Sequence, residues 1–229
     1  TGIGRLIAAQ CAPTMKRLVM ELGGHAPLIV FDDADLDKAV RIAVDAKFAT
    51  SGQDCLAANR IYIQRGLYQR FCSAFAEKVT ALTLGPGIDD PDIGPLMHTR
   101  AVAKAQEQVA DALSKGARCL AGGKPGAAGP LFYEPTLLAD VPDDALIMRE
   151  ETFAPVAAVA PFDSEAEGVA RQRRLARALD YGMIAVNRVK ITGAPIPFGG
   201  VKQSGLGREG SRHGIEAFTD LKYVCLDAA

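Results

Sequence analysis

The 229-residue chain has no apolar run near the ~18 residues that a membrane-crossing helix needs. Its longest candidate, residues 154–162, is strand-sized, so no membrane partner is expected. Charge of one sign is also missing: 26 Lys and Arg face 27 Asp and Glu, a net charge of -1 that gives no footprint for nucleic acid or an anionic surface. The five cysteines (Cys11, Cys55, Cys72, Cys119, Cys225) show neither CxxC nor zinc-ribbon spacing, and His25, His98 and His213 show no HxxxH spacing. No metal site is expected, and reduced thiols point to the cytoplasm. No secretory or lipidation motif is visible. The chain opens at Thr1, without a methionine, on a helix-like stretch, and reads as a piece of something longer.

What is present is the pattern of an α/β protein. Hydrophobic residues make up 48% and charged ones 23%, an ordinary soluble balance with enough apolar material for a sizeable core. Residues 1–11 read as a helix, 16–22 as a strand closed by Gly23 and Gly24, and 27–31 as a strand buried on both faces. Leu36, Val40, Ala43, Val44 and Phe48 recur at helical spacing behind the acidic Asp32, Asp33 and Asp35. Strand 60–64, helices 67–82 and 98–115, strand 117–121, and extended stretches 133–140 and 154–162 follow. Helix 164–181, strand 183–187, a glycine-rich stretch 197–210, helix 211–218 and strand 222–226 complete the reading. Strands alternating with helices predict an open, mainly parallel sheet flanked by helices.

Two segments 34 positions apart carry the chemistry: Glu21-Leu22-Gly23-Gly24 and Gly52-Gln53-Asp54-Cys55. Most cysteines are buried packing, and Cys11, Cys72, Cys119 and Cys225 fit that reading within or beside regular elements. Cys55 instead sits on a glycine-led turn, with Leu56, Ala57 and Ala58 able to begin a helical turn that would acidify the thiol. Asp54 opposes this, so its carboxylate is expected to point outward. A lone glutamate is usually a solvated charge, but Glu21 ends an apolar run before two glycines, at a strand terminus where α/β sheets bind ligands. A thiol can attack a carbonyl and a carboxylate can activate water.

Four motifs occur in order: Met20-Glu21-Leu22-Gly23-Gly24-His25-Ala26-Pro27, the Gly52-to-Cys55 turn, Glu150-Glu151-Thr152-Phe153-Ala154-Pro155, and the Pro197-to-Arg208 stretch. Together they resemble the NAD(P)-dependent aldehyde dehydrogenase superfamily, and the chain resembles the C-terminal, catalytic half of such an enzyme. Its ending is most similar to the succinate-semialdehyde dehydrogenase branch. The resemblance implies Cys55 as nucleophile, forming a thiohemiacetal whose oxyanion is held partly by the Cys55 N–H, then a thioester that Glu21 hydrolyses through water. It further implies Glu151, Phe153, Leu22 and Gly23 at NAD or NADP, Thr192 and Phe198 at the substrate, and Asn187 on the site floor. For Asn187 and Phe198, strand-end capping and core packing read as well as these roles. The implied division is 1–23 as a remnant of the cofactor domain, 24–210 as the catalytic α/β domain, and 211–229 as a helix and oligomerisation strand, in a homodimer or homotetramer.

The pattern departs from the family in three places. The upstream cofactor-binding half is absent. About twenty residues seen in the family are missing between Gly168-Val169-Ala170-Arg171-Gln172 and the stretch from Arg173. Ala49 stands where the succinate-semialdehyde branch carries an arginine for the substrate carboxylate, while Thr192 keeps a hydroxyl. In addition, Ala57 replaces a second cysteine, so no disulfide control is expected. The expected activity is oxidation of a small aldehyde to its acid. Transfer of the thioester to coenzyme A and a non-catalytic assembly role are the competing readings.

Overall fold

The computed structural model describes residues 1–163, 174–188 and 191–225. Its packing separates two compact units, one made of Thr1–Gly23 with Gly168–Ala229 and one of Gly24–Glu167.

The larger unit, Gly24–Glu167, is an α/β layer structure. It contains β2 (Ala26–Val30), α2 (Leu36–Phe48), β3 (Ala58–Gln64), α3 (Arg65–Thr80), α4 (Thr99–Ser114), β4 (Arg118–Ala121), β5 (Thr136–Ala139), α5 (Leu146–Arg149) and β6 (Val156–Phe162). The sheet order is β2-β3-β6-β5-β4; the first three pairings are parallel and β4 joins β5 antiparallel at the edge. The expected open, mainly parallel sheet is therefore present. Successive side chains alternate between its faces. Leu137, Ile61, Ile63 and Val159 meet Val40, Ala43, Phe71 and Phe75 of α2 and α3. Leu138 and Ala158 meet Val102, Ala105, Val109 and Ile147 of α4 and α5 on the other face. Each such buried side chain contributes about 1.5–3 kcal/mol of transfer free energy. Helix α2 starts where Asp35 accepts the Lys38 N–H at 2.9 Å, an N-cap worth about 1 kcal/mol. The strand predicted at 27–31 was expected to be buried on both faces, yet most of β2 is only half-buried, because β2 lies at the edge of the sheet.

The smaller unit carries α1 (Gly2–Cys11) and a two-stranded antiparallel ribbon of β1 (Met20–Glu21) and β7 (Gly205–Leu206), with Glu21 opposite Gly205. Several sequence expectations shrink here. The strand expected over 16–22 reduces to Met20–Glu21. Residues 183–187 form no strand, and 211–218 hold turns and a single 3-10 turn, Ile215–Phe218, instead of an α-helix. Residues 222–225 are exposed and unpaired with any strand; Leu226, the last residue of that expected strand, lies outside the described residues. Strands exist only where a neighbour accepts their hydrogen bonds, and among the described residues of this unit the β1–β7 ladder is two residues long, with an isolated bridge between Phe198 and Glu209. Of the helix expected over 164–181, residues 164–173 lie outside the described residues and 174–178 are helical.

Candidate active site

The turn that carries Cys55 is built from strained backbone fixed by polar anchors. Past Phe48 the chain leaves α2, and Thr50, Ser51 and Gly52 take φ values of 55°, 58° and 68° in succession. Left-handed conformations at non-glycine residues cost on the order of 1–3 kcal/mol each and persist only when surroundings enforce them. Here the surroundings are explicit. Ser51 Oγ accepts the Gly94 N–H at 2.9 Å, Gln53 Oε1 accepts the Met97 N–H at 2.9 Å, and Gln53 Nε2 donates to the Pro95 carbonyl at 3.2 Å. A Cβ on Gly52 would lie 2.3 Å from the Ala154 carbonyl oxygen, so only glycine fits.

Cys55 itself is half-buried and its thiol forms no disulfide. Two expectations about it are corrected. No helix begins at Leu56: the residues after Cys55 form a turn that runs directly into β3 at Ala58, so helix-end acidification does not apply. Nor does Asp54 point away. Its Oδ1 accepts the Leu56 N–H at 2.8 Å and its carbonyl accepts the Ala57 N–H at 3.1 Å, an Asx-type turn that closes around the cysteine.

Two neighbours of the turn belong to the other motifs. A Cβ on Gly24 would lie 2.1 Å from the Cys55 carbonyl oxygen, so Gly24 permits the turn to pack against its backbone. The Gly24 N–H in turn donates to Glu151 Oε1 at 2.9 Å. Glu151 is further fixed by its carbonyl, which accepts from Lys104 Nζ. Two residues on, Phe153 has φ 49° and leaves 37% of its surface exposed, an aromatic face held outward by strained backbone. Cys55, Gly24, Glu151 and Phe153 thus form one connected group within the larger unit.

Glu21, Leu22, Gly23, Thr192 and Phe198 lie in the smaller unit. Glu21 ends β1, as expected of a strand terminus. Burial pushes its carboxyl above the usual 4.5; Glu209 raises it further and Arg208 pulls it down. Glu209 is held in place by Phe198, the two residues exchanging backbone hydrogen bonds of 2.8 Å in each direction. The Leu22 N–H donates to the Ser204 carbonyl at 3.1 Å, and its side chain covers Gly4, where a Cβ would meet it at 2.7 Å. Thr192 and Asn187 are exposed, and Asn187 takes a φ of 55°.

Sequence reasoning missed a buried polar pair in the larger unit. Lys47 and Asn59 are fully buried, and Lys47 Nζ donates to Asn59 Oδ1 at 2.6 Å. The signal was available: Lys47 falls on the apolar stripe of α2, between Val44 and Phe48, where a lysine faces the core.

Residues 1–172 and 169–224 match the aldehyde dehydrogenase family. The chain belongs to the aldehyde dehydrogenase family. Among curated aldehyde dehydrogenases it is 46% identical to glutarate-semialdehyde dehydrogenase of Pseudomonas aeruginosa, covering 99% of this chain and 51% of that protein. It is 45% identical to the NADP(+) succinate-semialdehyde dehydrogenase of Escherichia coli, with the same two coverages. Among solved structures, an E. coli NADP-dependent enzyme superposes with a TM-score of 0.96 at 44% identity, over 99% of this chain and 51% of that one. Succinate-semialdehyde dehydrogenase from Burkholderia pseudomallei gives 0.95 at 42%, over 98% and 51%. The chain thus spans about half the length of the relatives it matches. Both curated alignments run over 246 positions against 229 residues, so at least 17 positions of each relative meet no residue here. The two family matches meet at residues 169–172, where the sequence reading places the missing segment.

Proposed function

We propose that the complete protein oxidises a small aldehyde bearing an anionic group to the corresponding acid, using NAD+ or NADP+, with Cys55 as nucleophile and Glu21 as the base. The observation that supports this reading is the Cys55 turn, whose strained backbone and glycine-only contacts spend stability to set the Cys55 backbone against Gly24, the residue whose amide binds Glu151. The cofactor fits the residues present. Glu151 is an acceptor-only carboxylate, suited to the two O–H donors of a ribose, and the Gly24 amide fixes its orientation. The Phe153 face is available to a flat ring. When bound, the nicotinamide supplies the hydride acceptor that converts a thiohemiacetal into a thioester.

The chain's own groups do the rest. The Cys55 sulfur, its proton lost to water, adds to the aldehyde carbon; the C–S bond forms as the C=O π bond opens and its electron pair moves to the oxygen. After oxidation, Glu21 takes a proton from water as its oxygen attacks the thioester carbon, and the C–S bond breaks to return the Cys55 sulfur. A carboxyl raised above 4.5 is a stronger base than an ordinary glutamate, which supports hydrolysis over transfer to coenzyme A. The anionic substrate class rests on the relatives, which are named for glutarate and succinate semialdehydes. Thr192 would offer a hydroxyl to the substrate anion, and Phe198 would position Glu209 behind the base.

We also propose a cytoplasmic location, a reading favoured by five cysteines that form no disulfide. We assign it a homo-oligomeric state built on residues 222–226, where Tyr223 and Val224 are exposed in the manner of an unpaired edge. Incubating the complete protein with succinate or glutarate semialdehyde and either cofactor tests the activity. Formation of the diacid without coenzyme A is the expected result; product only with coenzyme A would replace hydrolysis by acyl transfer.

A further inference from the structure

Lys47 stands in the last turn of α2 with none of its surface exposed, a place lysine almost never occupies without a paired role. Its ammonium donates to Asn59 Oδ1 at 2.6 Å, joining the end of α2 to the start of β3. Those two positions bracket the whole turn that carries Cys55. Asn59 Nδ2 is also buried without a hydrogen-bond partner, so the pair is only partly satisfied. Burial pushes the Lys47 ammonium down to about 7, and the charge on Glu151 pulls it back up. Simple packing would favour an apolar residue here, because replacing a buried charged group and its partner by hydrocarbon is often neutral or stabilising.

We propose that Lys47 is a positioning residue: bonded to Asn59 it closes the base of the Cys55 turn, and so fixes the Cys55 backbone against which Gly24 packs and donates its amide to Glu151. The consequence for cofactor binding rests on the role proposed for Glu151 above; the positioning itself does not.

The test is hydrogen–deuterium exchange of the complete protein, read on peptides covering Gly24 and the Cys55 turn, in the double variant Lys47→Met with Asn59→Leu. This pair keeps volume while removing both polar partners, so no orphan remains. The expected result is a melting temperature at or above that of the parent together with exchange about tenfold faster at Gly24. Unchanged exchange at Gly24 in the folded double variant overturns the proposal. A second variant, Lys47→Met alone, should speed exchange at Gly24 at least as much. Unchanged exchange at Gly24 in that variant would equally overturn the proposal. Should Gly24 lose protection while the Michaelis constant for cofactor stays the same, the positioning by Lys47 stands and the role of Glu151 at the ribose fails.

Discussion

In the proposed reaction, Glu21 and Glu209 make the acid limb tunable. A base must be ionised to act, so hydrolysis is lost as pH falls through the Glu21 pKa, and that pKa is raised by burial and by the Glu209 charge. Removing the like charge with Glu209→Gln lets Glu21 ionise at lower pH. The acid limb of kcat should then move down while the plateau stays, as a pH–rate profile would reveal; a limb that does not move removes Glu209 from the account. Ala49 offers a second prediction. It is exposed at the start of the turn, where the resemblance to the succinate-semialdehyde branch implies an arginine. Ala49→Arg should lower the Michaelis constant for succinate semialdehyde by about tenfold, a charge-assisted pair being worth about 1.5–3 kcal/mol, with little change for an uncharged aldehyde. At this scale the sequence was informative about which residues matter and poor about how they are held. Cys55 and Glu21 could be picked out from glycine neighbours, but Asp54 closing on Leu56 and Lys47 facing the core depend on contacts made after the chain folds.

Among the elements, the Cys55 turn is the place where stability and function trade. Gly52→Ala puts a Cβ 2.3 Å from the Ala154 carbonyl at a φ of 68°, so both space and conformation oppose it. The expected outcome is a loss of about 2–4 kcal/mol in denaturant unfolding, with the thiol of Cys55 reacting at a changed rate toward iodoacetamide. Ser51→Ala is milder: losing the bond from Gly94 costs about 1 kcal/mol, and leaves the glycine contacts intact. The helices α2, α3 and α4 and the central strands were legible because their apolar period was long and their burial two-sided. The elements that failed, 183–187, 211–218 and 222–225, share a short apolar pattern and no ladder to join, so local propensity had nothing to support it.

On the scale of the whole molecule, the chain holds the five-stranded sheet and the chemical groups but about half the length of its relatives. At least 17 positions of those relatives have no counterpart here, and the two family matches overlap at residues 169–172. A segment of that size is enough for a strand and its connection. Inserting the corresponding segment of a relative between Gln172 and Arg173 should raise the melting temperature by several degrees, since about 1 kcal/mol is worth about 2–4 °C in a domain of this size. No rise in a scanning-calorimetry trace would mean the chain folds as well without it. The family and the sheet class could be anticipated from motif order, whereas the grouping of the first 23 residues with the C-terminal segment could not, because it is a long-range packing result. The account turns on a covalent intermediate at Cys55 released by Glu21. Intact-mass and peptide-mapping mass spectrometry of the complete protein carrying Glu21→Gln, after mixing with succinate semialdehyde and cofactor, tests this most directly. A succinyl adduct on Cys55, absent when Cys55→Ala is added and turning over in the parent, is the predicted result; full turnover by Glu21→Gln with no adduct on Cys55 would contradict it.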